Sequence, residues 1–182
     1  MEEIKDRLGD FKYNFLYNLQ NYIDTQLLFF GSIKRFDFFK NSSDIDIVII
    51  SDNIKSLLHK IQNYLHIDKN SIKKIIQQHS IYDKGFIPGY KIKYEDNENN
   101  IAFDLLIYDE KYREKVIKYI NNMNFLPFYM IIILYILKFL HYILYIIPKS
   151  AYIYLKTSIF YCYNNTGFYL YKKELYPVIM ID

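Results

Sequence analysis

Phe11, Phe15, Leu19 and Ile23 recur four positions apart with polar residues between them, which predicts an amphipathic helix over residues 2–24. The run QLLFF (26–30) follows as a short strand ending at Gly31. Residues 33–43 mix polar and aromatic side chains and read as a helical turn and loop. DIDIVII (44–50) is rich in β-branched residues and gives the strongest strand signal in the chain. SDN (51–53) offers cap residues to a helix over about 54–66 that places Ile54, Leu57, Leu58, Ile61 and Leu65 on one face. Residues 71–79 fit a helix better than a strand. GYKIKYED (89–96), the turn NENN (97–100) and IAFDLLIYD (101–109) predict a β-hairpin. A helix from about 110 to 122 follows, with Val116, Ile117 and Ile120 as its apolar positions.

The pattern then changes. FLPFYMIIILYILKFLHYILYII (125–147) is almost wholly apolar, so a boundary is expected near residue 124, between a domain at 1–123 and a hydrophobic helical tail at 124–182. About 20 apolar residues suffice to cross a bilayer. Lys111, Arg113, Lys115 and Lys118 precede the segment and Lys149 and Lys156 follow it, an asymmetry that would keep the N-terminal domain on the cytoplasmic side. Lys138 and His141 fall near its middle, where lipid penalises them. The competing reading is a buried helix of a helical subdomain.

Composition narrows the classes. A single cysteine, Cys162, excludes an internal disulfide, and no Cys/His cluster has zinc spacing. The charged start MEEIKDRLGD lacks a following apolar core of a signal peptide, so an intracellular protein is expected. The net charge of +3 arises beyond residue 124, where five lysines face two acids. Residues 1–124 are neutral overall, which argues against a long nucleic acid held along its phosphates.

The chemistry lies in the strands. Alternation puts Asp44, Asp46, Val48 and Ile50 on one face of 44–50, and Ile45, Ile47 and Ile49 on the other. Neighbouring carboxylates repel, and burying them unpaired costs several kcal/mol or forces one to hold a proton. A divalent cation removes the conflict, because hard cations take carboxylate oxygens. Asp104, on a face with Ala102, Leu106 and Tyr108, is a third acid in a core-type strand. If 101–109 pairs beside 44–50, all three carboxylates can converge. Upstream, Gly31 permits close approach of a ligand to the backbone, and Ser32 offers N–H and hydroxyl donors to a phosphate.

Gly31-Ser32, then after eleven residues DID (44–46) within SSDIDIVII, then FDLLIY downstream, resembles the nucleotidyltransferase superfamily of DNA polymerase β type, over about residues 10–110. The resemblance implies an α/β (α+β) fold, a mixed sheet flanked by helices, with the apolar helical tail appended. It implies that Gly31 and Ser32 hold the triphosphate of an NTP such as ATP. Asp44 and Asp46 would bind two Mg²⁺ ions, for which Mn²⁺ could substitute, and Asp104 would complete the metal nearer the acceptor and help deprotonate the attacking hydroxyl. Two metals about 3.5–4 Å apart suit such in-line transfer with release of pyrophosphate. The acceptor is open among an RNA 3′ end, a small molecule and a protein hydroxyl.

Lys34, Arg35 and Lys40, between the motifs, are expected on a solvated face rather than at phosphate oxygens. Lys91 and Lys93 share a face of the hairpin, where an exposed sheet edge with blocking lysines competes with an acceptor groove. His59, His66, His79 and His141 share no spacing. Two rival functions stand beside the transferase: a degenerate module that binds nucleotide without turnover, and a non-enzymatic, membrane-anchored interaction protein.

Overall fold

The computed structural model describes residues 4–40, 42–78 and 86–164. The tail beyond 164, His79 and the side chain of Cys162 lie outside the described residues. The N-terminal helical region is two helices rather than one: α1 (Lys5–Leu8) and α2 (Asp10–Ile23). Gly9 separates them at φ 76°, a left-handed conformation that an L side chain resists. Phe11 is exposed, and the buried face of α2 is Leu16, Leu19 and Ile23 with Phe15 partly covered. The spacing of four put Phe11 on the buried face, but Phe11, in the first turn of α2, is exposed, and Leu16 joins Leu19 and Ile23 instead.

The strands are β1 (Leu28–Phe30), β2 (Ile45–Ser51), β3 (Ile72–Gln78), β4 (Phe86–Asp96) and β5 (Ile101–Asp109). They form one mixed sheet in the order β1-β2-β5-β4-β3. Only β2 and β5 run parallel; the other pairs are antiparallel. The helix α3 (Ile54–Leu65) connects β2 towards β3. Asn53 starts it by accepting the Ser56 N–H at 3.2 Å, and His66 ends it in the left-handed region at φ 51°. Its stripe Leu57, Ile61 and Leu65 is buried on the sheet. Each such side chain contributes about 1.5–3 kcal/mol by leaving water, which outweighs weak local preferences.

Residues 72–78 are a strand, not a helix. The apolar spacing of IKKIIQQ satisfies a helical turn, but seven residues pair with β4 in register, and Ile75 is buried beneath the sheet's second face. Tertiary pairing overrides the local pattern. It also moves the sheet edge: β4 lies between β3 and β5, and Lys91, paired with Lys73 of β3, does not guard an edge.

The two faces of the sheet are as different as the alternation requires. Ile45, Ile47, Ile49, Phe103, Leu105 and Ile107 pack against α2 and α3. Val48, Ile50 and Tyr108 face α4 (Arg113–Asn124), with Val116 and Ile120. A short 3-10 turn, Glu110–Tyr112, precedes α4. The fold is α+β, with six α-helices and one five-stranded sheet among the described residues.

The apolar stretch 125–147 is not one continuous helix. α5 spans Phe128–Tyr142 and α6 Lys149–Asn164. α4 and α5 meet at 70° across Phe125–Pro127, and no single helix among the described residues is long and apolar enough to cross a membrane. Leu126, Met130 and Leu134 bury one side of the segment against Phe160 of α6, while Ile132, Ile133 and Ile136 remain exposed. Lys138 lies within protein and has a partner there, described below.

Candidate active site

α4 covers only part of its face of the sheet. The rest floors a cavity of about 640 Å³, walled on the far side by Leu134 and Lys138 of α5 and Lys156 and Phe160 of α6. Register sets what the floor presents. Asp46 of β2 pairs in parallel with Asp104 of β5, and Phe30 of β1 lies opposite Asp46. The same row continues to Lys93 of β4. The next row runs Leu28, Val48, Leu106, Lys91 and Lys73. Neighbouring strands sit about 4.8 Å apart, so the Asp46 and Asp104 carboxylates are adjacent on one face.

Gly31 leaves β1 at φ 73° and opens a 3-10 turn, Gly31–Lys34. A Cβ there would meet the Asp46 carboxylate oxygen at 3.0 Å. Glycine is therefore required twice, for the turn and for the approach to Asp46. The Gly31 N–H donates to Asn124 Oδ1 at 2.9 Å, which ties the turn to the end of α4. Ser32 is buried and lines the cavity. The turn and the acidic strand, separated in sequence, thus share one wall.

Asp46 is held back from ionising, with its pKa pushed up to about 6. Burial is the main cause; Lys156 opposes it, and Asp104 and Asp44 add repulsion. Asp104 pairs with Lys91 Nζ at 2.6 Å. Asp44, ahead of β2, is exposed and stands outside the cavity lining. Among the described residues no group of three His, Cys, Asp or Glu side chains is close enough to hold one ion. What does fit a hard divalent cation is the pair Asp46 and Asp104: adjacent oxygen donors on one face of the sheet, Asp46 half-buried and held back from ionising.

Arg35 is not on a solvated face. It is buried, and its guanidinium grips Asp37 through Nε at 2.8 Å and Nη2 at 3.1 Å. Lys138 reaches the same carboxylate at 3.1 Å and the Asp37 carbonyl oxygen at 2.8 Å. Arg35 also donates to the Met123 carbonyl. This buried group fastens the β1–β2 loop to α4 and α5. Lys34 and Lys40 are exposed, as the pattern expects.

Sequence reasoning missed Asn124, Asp37 and the placement of Lys73 and Lys156 on the cavity. One signal was available. Lys138, alone in an apolar helix, needs a counter-charge, and Asp37 and Asp44 were the acids nearest the motifs. Nothing local marks Asn124.

A family model described as a nucleotidyltransferase domain matches residues 14–126, well over half of the chain. Neither the curated proteins nor the solved structures gave a match. The matched residues take in the turn at Gly31, both acidic strands and the end of α4 at Asn124. The chain belongs to the nucleotidyltransferase domain family.

Proposed function

We propose that the protein moves a nucleoside monophosphate from an NTP to a hydroxyl acceptor and releases pyrophosphate. The observation that carries this is the in-register pair Asp46 and Asp104 beside the glycine turn. Gly31 and Ser32 would hold the triphosphate. Asp46 and Asp104 would hold Mg²⁺, and Asp44 would serve a second ion. Bound there, the cations neutralise charge on the reacting phosphate and on the leaving group. The acceptor oxygen forms a bond to the α-phosphorus while the bond to the α–β bridging oxygen breaks. The proton of the acceptor hydroxyl passes to Asp104. Most of the rate comes from positioning and charge neutralisation.

Incubation with α-labelled NTP, Mg²⁺ or Mn²⁺ and candidate acceptors tests the reading. Label transfer and pyrophosphate release are expected, and Asp46→Asn or Asp104→Asn should lower both at least ~100-fold, the scale on which single catalytic groups act. Undiminished activity in these variants would sink the assignment. The Lys91–Asp104 pair and the exposed Asp44 favour the second reading, a module that binds NTP without turnover. NTP binding with no product from any acceptor would select it. The exposed Ile132, Ile133 and Ile136 support peripheral contact of α5 with a membrane. Liposome flotation of the full chain tests that contact, and recovery wholly in the unbound fraction would remove it.

A further inference from the structure

The cavity face of the sheet divides by charge. On the β1 side lie Gly31, Asp46 and Asp104; on the other side β4 and β3 contribute Lys93, Lys91 and Lys73. Lys91 and Lys93 are two residues apart on one strand, so their stems rise about 6.8 Å from each other, and Lys73 stands one strand, about 4.8 Å, beyond Lys91. The acids facing them are few. Asp104 pairs with Lys91 at 2.6 Å, and Glu95 with Lys93 at 2.5 Å. Lys73 makes no ion pair with a described residue. Lys156 adds positive charge from the opposite wall. A triphosphate held at Gly31 and Ser32 would occupy the β1 side, which leaves the lysine side, past Asp104, for the acceptor.

We infer that the acceptor is anionic: its hydroxyl belongs to a phosphate-bearing compound, and the face of Lys73, Lys91 and Lys93 binds that phosphate. The inference rests on the transferase reading above. The chemistry has two sources, a free sugar phosphate or the terminal nucleotides of a nucleic acid. Both bring a phosphate next to a hydroxyl. A polycationic polyol is repelled by the same face. A phosphate on Lys91 also competes with Asp104 for its ammonium, so arrival of the acceptor draws Lys91 away from the carboxylate that must take the proton.

The test uses the full chain and a fluorescein-labelled pentaribonucleotide, followed by anisotropy over a KCl series without NTP. Lys73→Gln/Lys93→Gln should weaken binding about tenfold and flatten the salt dependence by about 0.7 for each phosphate no longer held, the value for single strands. Lys73→Arg/Lys93→Arg should keep the affinity. Lys55→Gln/Lys115→Gln, exposed lysines that do not line the cavity, should leave it unchanged. Ribose 5-phosphate should compete and ribose should not; competition by ribose 5-phosphate at equal concentration identifies a free sugar phosphate, and competition by oligonucleotides alone identifies a nucleic-acid end. Equal losses in the cavity and control variants, no loss in the cavity variant, or tighter binding of a polycationic aminoglycoside would overturn the inference. Pyrophosphate release separates the two claims. If release is Asp46-dependent but indifferent to the lysines and to phosphate-bearing acceptors, this inference fails alone. If the lysines bind the oligonucleotide but no pyrophosphate is released, the transferase reading fails.

Discussion

Replacing Asp46 by asparagine should make the metal-free protein more stable at neutral pH while removing its response to divalent ions. The Asp46 carboxyl is raised from its ordinary 3.8 to about 6, chiefly by burial, with Asp104 and Asp44 adding repulsion and Lys156 offsetting part of it. At about 1.4 kcal/mol per pH unit, ionising it in the folded chain costs about 3 kcal/mol more than in the unfolded chain. The sign follows from linkage. A carboxyl raised on folding favours the folded state while protonated, below about pH 4, and that advantage disappears as pH rises through about 6. Asparagine keeps the shape and never ionises. The gap between Asp46→Asn and wild type should therefore shift in favour of the variant by about 2–3 kcal/mol between pH 4 and pH 7.5, or about 4–12 °C in Tm for a chain of this size. Urea unfolding in EDTA at both pH values measures it. Mg²⁺ should then raise the wild-type Tm in proportion to RT ln(1 + [Mg²⁺]/Kd) and leave the variant unmoved. A gap that does not change with pH would refute the reasoning, because it would mean the carboxylate is as well solvated in the fold as outside it.

The buried group around Asp37 makes a sharp contrast: Asp37→Asn strands Arg35 and Lys138 without a counter-charge and should cost about 3–5 kcal/mol, whereas Lys138→Met, which leaves Arg35 its partner, should cost clearly less by urea unfolding. Equal losses would contradict the pairing. Burial holds the Lys138 ammonium at about 8, although Asp37 pulls it upward. A lysine lowered on folding favours the fold as pH climbs from about 8 towards its ordinary 10.5, so Lys138→Met should flatten that part of the stability profile. Gly31→Ala combines a left-handed backbone with a Cβ 3.0 Å from the Asp46 carboxylate. It should cost about 1–2 kcal/mol in stability from the backbone alone and lower pyrophosphate release more than Ser32→Ala does. A fully active Gly31→Ala protein would show that the turn does not need its close approach to Asp46.

What the sequence determined is what local periodicity and side-chain chemistry can carry. The β-branched run at 45–51 and the largely apolar run at 101–109 are strands because their alternating faces have two cores to enter, and the Asn53 cap and apolar stripe fix α3. The acids in those strands and the glycine before them carried the resemblance to the nucleotidyltransferase family, to which the chain belongs. Only the tertiary structure decided which acids stand together. Parallel pairing of β2 with β5 sets Asp46 beside Asp104 and leaves Asp44 at the rim. It turned 72–78 into a strand, because pairing with β4 outweighs a helical spacing that seven residues cannot enforce. It gave Lys138 a partner 101 residues away, so a charge that looked costly in lipid is neutralised inside the protein. It also lined Lys73 up with Lys91 and Lys93 across the sheet from the acids. Strand register and long-range ion pairs depend on the chain's return path, and no local pattern of hydrophobic and polar positions records that path.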